Sequence, residues 1–425
     1  MTMAQLTGWI DGGASVFYGR IGWDERGLVT EMTPLGGAEG PPPDAAVIRA
    51  GLFNAHSHPE QSIYADIVDK EWDLGTWCRH TIYRHSAAMT PRRVRLACER
   101  AFARMMAFGT TSVMVSYYLH GNRGNELDRE VLAAARSVGI RLIFGRMNYD
   151  IVNEDAYAGK KASQRSYYET PETAEKNLRE LMSLEDETLM VCPALHSMHA
   201  STEAAIACGI ALGWELRRPV QFHLSEDRGD VDLSLKLHGC RPVVFLQRLL
   251  DEGRVPSLSH VILSDCCWLD DEERRLVARN GMKVVLNARM NARVKTGFPD
   301  VPALLASGIP LWCGTDGEAS NDDLNVQGER EFLKARYRGA IEPKTIEGFG
   351  RQRFDFGAGY IGALGVGGWA DLRVGENGAV RDVYVGGRKT IENGRLLGLD
   401  VERDVERPLH EEVAAMTAEP AAPEA

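Results

Sequence analysis

Long apolar runs are the first thing this chain lacks. No stretch of its 425 residues approaches the roughly 18 consecutive apolar positions that a membrane helix needs, so no membrane partner is expected. The opening MTMAQLTGWIDGGAS has neither a basic nor an apolar leader segment, which points to a cytoplasmic protein. Positive charge is also in short supply. Lys and Arg number 49 against 60 Asp and Glu, a net charge of −11, which argues against nucleic acid as a partner and for a small-molecule substrate. The 8 cysteines are scattered, with no CxxC pair and no dense framework, so a disulfide scaffold is excluded and reduced thiols are expected. With 44% hydrophobic and 26% charged residues, general disorder and fibrous repeats are excluded as well.

What is present is alternation. From about Gly51 to Pro310, eight short β-branched or apolar runs are separated by longer helical patterns: AGLFNAH, TTSVMVS, IRLIFGR, TLMVCPA, PVQFHLS, HVILSD, MKVVLN and IPLWCGTD. Intervening stretches such as PRRVRLACERAFARMMAFG place apolar residues near i, i+3 and i+4 and stop at glycine, as helices do. Eight such units predict an α/β chain whose residues 51–365 form a (β/α)8 TIM-like barrel. Residues 1–50 and 366–415 change character, to short strands divided by DERG, ENG and GG turns. Neither end supplies enough strands for a stable sheet alone, so the two are expected to pair into one small β-sandwich, with 416–425 a frayed tail.

In a barrel of this kind chemistry sits at the C-terminal ends of the strands, so the polar residues that end each run are the candidates. The first run ends in His56-Ser57-His58, and histidines at i and i+2 of an extended segment share a face and can bind one borderline metal together. Two solvated loop histidines would read the same way. The fifth run ends in His223 with Glu226 three residues on, a third ligand position and a carboxylate placed to act as general base; a histidine beside a surface glutamate is the plainer alternative. The eighth ends in Gly314-Thr315-Asp316-Gly317, either a carboxylate at the barrel mouth or a turn aspartate. Three histidines and one carboxylate, each at a strand end and all converging on one mouth, favour the metal reading.

The segments AGLFNAHSH, QFHLSED and CGTDGEASNDDLNV resemble the amidohydrolase superfamily, in particular its cytosine-deaminase-like and chlorohydrolase-like branch, and LGVGGWADLRV and RDVYVGGRKTIENGRLL resemble the returning strands of that family's sandwich. The resemblance spans nearly the whole chain. It implies that His56, His58, His223 and Asp316 hold one divalent metal per chain, zinc or iron, and that Glu226 shuttles protons. It also implies a homodimer or higher homo-oligomer and attack by metal-activated hydroxide on an amidine-like carbon of a nitrogen heterocycle, with ammonia leaving. Opening of a cyclic amide or dechlorination by the same parts, and a scaffold protein without activity, are the alternatives.

One position departs from the family pattern. Where the sixth strand of such proteins usually ends in histidine, counting back from Trp268-Leu269 gives Asp265. His260 lies five residues earlier, about 16 Å down an extended strand, and is expected to be structural. Asp265 is therefore assigned to the active site, with helix capping as the alternative. In the seventh loop Asn291 and Arg293 match the family, while Asn287-Ala288 replaces its usual Cys-Pro. His196, with His199 behind it, and Arg146 are the substrate-contact candidates, a packed loop histidine and a salt-bridged surface arginine being their alternatives, and Trp72, Trp77, Tyr117 and Tyr118 are possible stacking partners or simply core.

Overall fold

Each of the eight runs is a strand in the computed structural model, which describes residues 4–13, 15–35, 45–376 and 379–419. In chain order they are Leu52–Ser57, Thr110–Tyr117, Arg141–Asn148, Leu189–Leu195, Val220–Leu224, Val261–Asp265, Lys283–Leu286 and Leu311–Cys313, called here the first to eighth strands. Neighbours in sequence are neighbours in the sheet, and every pair is parallel. The ring closes where the backbone amides of Thr315 and Asp316, just past the eighth strand, both reach the His56 carbonyl at 3.1 Å.

The helices around this ring form for local reasons. Glu126–Val138 buries Leu127, Val131, Leu132, Ala135 and Val138, one stripe at helical spacing, and ends at Gly139, whose φ of 84° suits a residue without Cβ. Asp271–Arg279 starts in a capping box, the Asp270 side chain accepting from the Glu273 amide while Glu273 reaches back. Inside the ring, Phe53, Met114, Ile143, Ile262, Val285 and Trp312 pack with Phe354 and Phe356 of a hairpin beneath the barrel. The N-terminal mouth therefore has an apolar floor, and polar strand ends remain free only at the C-terminal mouth.

Both termini enter a second sheet of eight strands, ordered Arg395–Leu396, Arg388–Glu392, Ala379–Val385, Leu372–Glu376, Val47–Ala50, Ala4–Asp11, Val16–Trp23, Val29–Pro34. Its two halves meet where Val47–Ala50 runs antiparallel to Leu372–Glu376. The sequence reading erred at the C-terminal end. After Leu396 the chain leaves the sheet, and Arg407–Ala418 is a helix tied to the barrel helix Pro91–Ala107 by Glu412, which pairs with Arg92 at 2.9 Å and Arg93 at 3.1 Å. The stretch up to 415 is thus not all sheet, and Met416 to Ala418 are helical rather than frayed; residues 420–425 lie outside the described residues. Val405, Leu409, Val413 and Met416 are buried at helical spacing, a period masked by the charged residues between them.

Candidate active site

Near its end the first strand shifts register against the second, between Asn54 and Ser57, and the rings of His56 and His58 come to 4.8 Å from each other. Such an irregularity re-aims the side chains beyond it. The fifth strand adds His223, and the turn after the eighth adds Asp316 with φ at 57°, a left-handed conformation that aspartate tolerates better than most residues. The four ligand atoms lie within 4.8 Å of one another, and all four residues are buried. His223 Nε2 is 3.1 Å from His56 Nε2 and 3.2 Å from His58 Nε2, while Asp316 Oδ1 is 3.1 Å from the first and 3.3 Å from the second of those two rings.

The other ring nitrogens show what these atoms carry. His58 Nδ1 donates to the Ser116 carbonyl at 2.6 Å and His223 Nδ1 to the His196 carbonyl at 2.8 Å. His56 Nδ1 meets Gln221 Oε1 at 2.8 Å, and Gln221 is oriented by its own amide donating to the Ala55 carbonyl at 2.7 Å. With acceptors fixing the proton on each Nδ1, the Nε2 atoms present lone pairs to one another. Three lone pairs and a carboxylate oxygen have no hydrogen-bonded solution unless one ring takes up a second proton, and even then two lone pairs stay opposed. One divalent cation satisfies all four, and imidazole with carboxylate is a donor set suited to zinc-class metals.

The electrostatics agree. Burial opposes ionisation of Asp316, yet the His56 and His58 rings and the Ser320 hydroxyl hold it well below the usual carboxylate range. Burial pushes the imidazolium of His58 down to about 4 and that of His223 well below its ordinary value. His56 is the exception, because Asp316 outweighs burial and raises it. The cluster calls for one positive charge, and a metal ion supplies it without setting lone pairs against each other.

Beside the cluster stand two further carboxyls. Ser225, with φ at 53°, turns the chain after the fifth strand so that Glu226 lines the pocket, and Asp265 ends the sixth strand fully buried with φ at 76°. Asp265 Oδ1 accepts from Asn287 Nδ2 at 2.8 Å and Asn291 Nδ2 at 3.1 Å, whereas Oδ2 is buried with no partner. Burial raises the Asp265 carboxyl, opposed by His56 and the two amides and reinforced by Asp316. Glu226 is raised well above its ordinary value, by burial first and then by the charges of Asp265 and Asp316. Taking up a proton at Glu226 would relieve this crowding.

The pocket above them measures about 830 Å³, enough for a bicyclic heterocycle with a substituent. His58, His223, Glu226, Asp265 and Asp316 are at its base, and Trp77, Tyr83, Tyr118, Tyr149, Tyr157 and His196 are among the aromatic groups lining it. His196 sits 4.9 Å from the Tyr118 ring, 5.0 Å from Tyr149 and 5.5 Å from His223, centroid to centroid. The Ser197 hydroxyl links it to His199, at 2.9 Å to each Nδ1, and His199 is the exposed member.

Arg146 is a correction to the sequence reading. It does not line this pocket; its guanidinium is buried against Asp128 at 3.0 Å, Glu169 and Asn125. Parity explains it: Ile143 of the same strand points into the barrel, so Arg146, three residues on, points out under the helices. Of the aromatic candidates, Tyr118 and Trp77 reach the pocket, Tyr117 is core, and Trp72 stacks on His80. Arg293 donates to the Asn321 carbonyl, and His260 Nε2 to the Ile210 carbonyl at 2.8 Å, before the sixth strand begins. Sequence reasoning missed Gln221, although a glutamine two residues before a strand-end histidine in an otherwise apolar run was a signal.

The profile of the amidohydrolase family matches residues 47–346. The chain is 26% identical over 393 residues to a 5-methylthioadenosine/S-adenosylhomocysteine deaminase of Syntrophobacter fumaroxidans, covering 85% of this chain and 84% of that one. It is 25% identical over 397 residues to a 5'-deoxyadenosine deaminase of Methanopyrus kandleri, with the same coverage of 85% and 84%. Among solved structures, an adenosine deaminase from Xanthomonas campestris with bound zinc superposes with a TM-score of 0.79 at 22% identity, over 96% of this chain and 97% of that one. An atrazine chlorohydrolase from Arthrobacter aurescens complexed with zinc has a TM-score of 0.78 at 17% identity, over 97% and 99%.

Proposed function

Because the chain belongs to the amidohydrolase family, we propose that it is a deaminase that hydrolyses the exocyclic amine of a nitrogen heterocycle, with one divalent metal, zinc, held by His56, His58, His223 and Asp316. The observation that carries the reading is the set of Nε2 lone pairs converging with Asp316 beside two carboxyls whose proton affinity is raised. The bound metal would supply the Lewis acidity that makes water a nucleophile near neutral pH.

The chain's own groups supply the rest. Tyr118, Tyr149 and His196 form an aromatic recess for a planar ring next to the ligand cluster. Glu226 moves the proton: its raised affinity lets it receive one from water and deliver it to a ring nitrogen or the departing amine. Asp265, locked by Asn287 and Asn291, keeps Oδ2 open to an N–H donor of the substrate. The names of the relatives and the pocket volume support a purine, specifically the adenine of a 5'-modified nucleoside, as that heterocycle. No helix among the described residues is long and apolar enough to cross a membrane, and a cytoplasmic homo-oligomer is proposed.

The test is ammonia release by zinc-loaded protein from adenosine, 5'-deoxyadenosine, methylthioadenosine, S-adenosylhomocysteine, cytosine, pterins and aminotriazines. Turnover of a 5'-modified adenosine is expected. Chloride release from a chlorotriazine, or opening of a cyclic amide without ammonia, would replace deamination by the neighbouring chemistry, and no turnover of any of them would remove the proposal.

A further inference from the structure

A second pocket, of about 900 Å³, opens at the other end of the barrel, between the start of the first strand and the terminal sheet. It is basic in an acidic protein. Arg49 and Arg373 sit directly opposite each other across the antiparallel pair of terminal-sheet strands, a like-charge arrangement that costs stability in a sheet. Arg330, from the helix Val326–Arg336, and Arg351 line the same pocket.

The charges are unevenly compensated. Arg49 Nε donates to Asp11 Oδ2 at 2.9 Å, and Arg351 reaches Glu347 at 3.4 Å. Arg330 and Arg373 have no ion pair among the described residues, and the Nε of each is buried without a hydrogen-bond partner. Arg330 is only 1% exposed, and its terminal nitrogens meet neutral acceptors, the Phe349 carbonyl at 2.7 Å and Gln327 Oε1 at 3.3 Å. The Arg373 side chain makes no hydrogen bond among the described residues; burial and its three arginine neighbours push it down to about 10. A buried, unpaired cation is expensive to keep. An apolar layer divides this pocket from the metal cluster: Phe53, Trp312 and Phe354 pack edge to face or tilted, with ring centroids 5.4 to 5.8 Å apart.

We propose that this pocket is a binding site for a small polyvalent oxyanion, a phosphate ester or a dicarboxylate, held by Arg330 and Arg373 with Arg351 at the rim. Guanidinium groups recognise both oxyanions through paired N–H donors, and the site requires no part of the reaction at the other mouth.

The experiment is thermal unfolding of the intact, zinc-loaded protein titrated with inorganic phosphate, pyrophosphate or succinate, each against chloride at constant ionic strength. A saturable rise in Tm with the phosphates assigns a phosphate ester, and one with succinate a dicarboxylate; either supports the site. R373Q should lose that rise while its Tm without oxyanion stays equal or goes up, because a like charge has been removed, and its turnover should be unchanged. R351Q, at the rim, should weaken the response at least several-fold and provides the check should R373Q fold poorly. No oxyanion-specific rise in the wild type, or an undiminished rise in the variants that fold, would overturn the proposal.

Discussion

At the C-terminal mouth of the barrel the carboxyls of Glu226, Asp230, Asp265 and Asp316 gather around three imidazoles, whereas at the N-terminal mouth four guanidinium groups face one pocket with two of them unpaired. The two ends differ in what could neutralise them. At the acidic end lone pairs and carboxylates meet in a nearly dry cluster, which only a multivalent cation and a shared proton can reconcile. At the basic end the charges are spread around a cavity of about 900 Å³ and remain apart, which suits a larger anion with several acceptor oxygens. In both, an arrangement that polypeptide alone leaves unfavourable indicates the ligand it is built for.

The largest effect expected from breaking this contrast is at the ligands. H56A or D316A should reduce the bound divalent metal from about one per chain to a small fraction, by elemental analysis of dialysed protein, and turnover should fall to background; full metal content in both would dissolve the acidic site. Next is E226Q, which keeps size but cannot carry the proton. It should cost on the order of 10²- to 10⁴-fold in kcat, with metal content unchanged, in the ammonia assay.

D265N should have a smaller effect. Asn287 and Asn291 can still donate to its carbonyl oxygen, but the free oxygen becomes a donor, so kcat/KM should fall by about tenfold or more, the loss of one charge-assisted hydrogen bond. Tm should hold within a few degrees. If D265N and D265H both turn over at wild-type rates, Asp265 neither binds substrate nor positions it.

The smallest effect is a pH slope. Asp230 accepts from the Ser225 amide at 2.7 Å behind the Glu226 turn, and burial, helped by the Asp227 charge, raises its carboxyl to about 7 despite that hydrogen bond. The folded state therefore binds a proton that the unfolded state has already released above its pKa of 3.8. That contribution is complete below pH 3.8 and is lost as pH rises through about 7. D230N cannot lose it. In urea unfolding the variant should gain on the wild type between pH 4 and 7 and gain nothing further above 7; a constant difference across that window would show Asp230 ionised throughout.

The strand-end histidines were legible because a candidate metal site on a barrel is written in short spacings, one residue between His56 and His58 and two between His223 and Glu226, on strands marked by their own apolar runs. Asp265 was found by counting from Trp268-Leu269, but Asn287 and Asn291, which hold it, come from the next strand-loop unit and carry no local mark of that duty. Arg146 shows how such reading goes astray. A strand-end arginine can face the pocket or the helices, and only the strand's parity decides.

Taken alone, then, the sequence determined what local pattern can encode: eight parallel strands, helices with glycine stops, two termini too short for separate sheets, and four strand-end residues able to hold a metal. Tertiary structure decided the rest. It set the proton on each Nδ1 through carbonyls and an amide from neighbouring strands, raised Glu226 with carboxylates distant in the chain, and placed Arg373 opposite Arg49. Local backbone preference acts over a few residues, whereas burial and Coulomb interaction act through space, so the charge state of a side chain depends on neighbours that no short stretch of sequence contains.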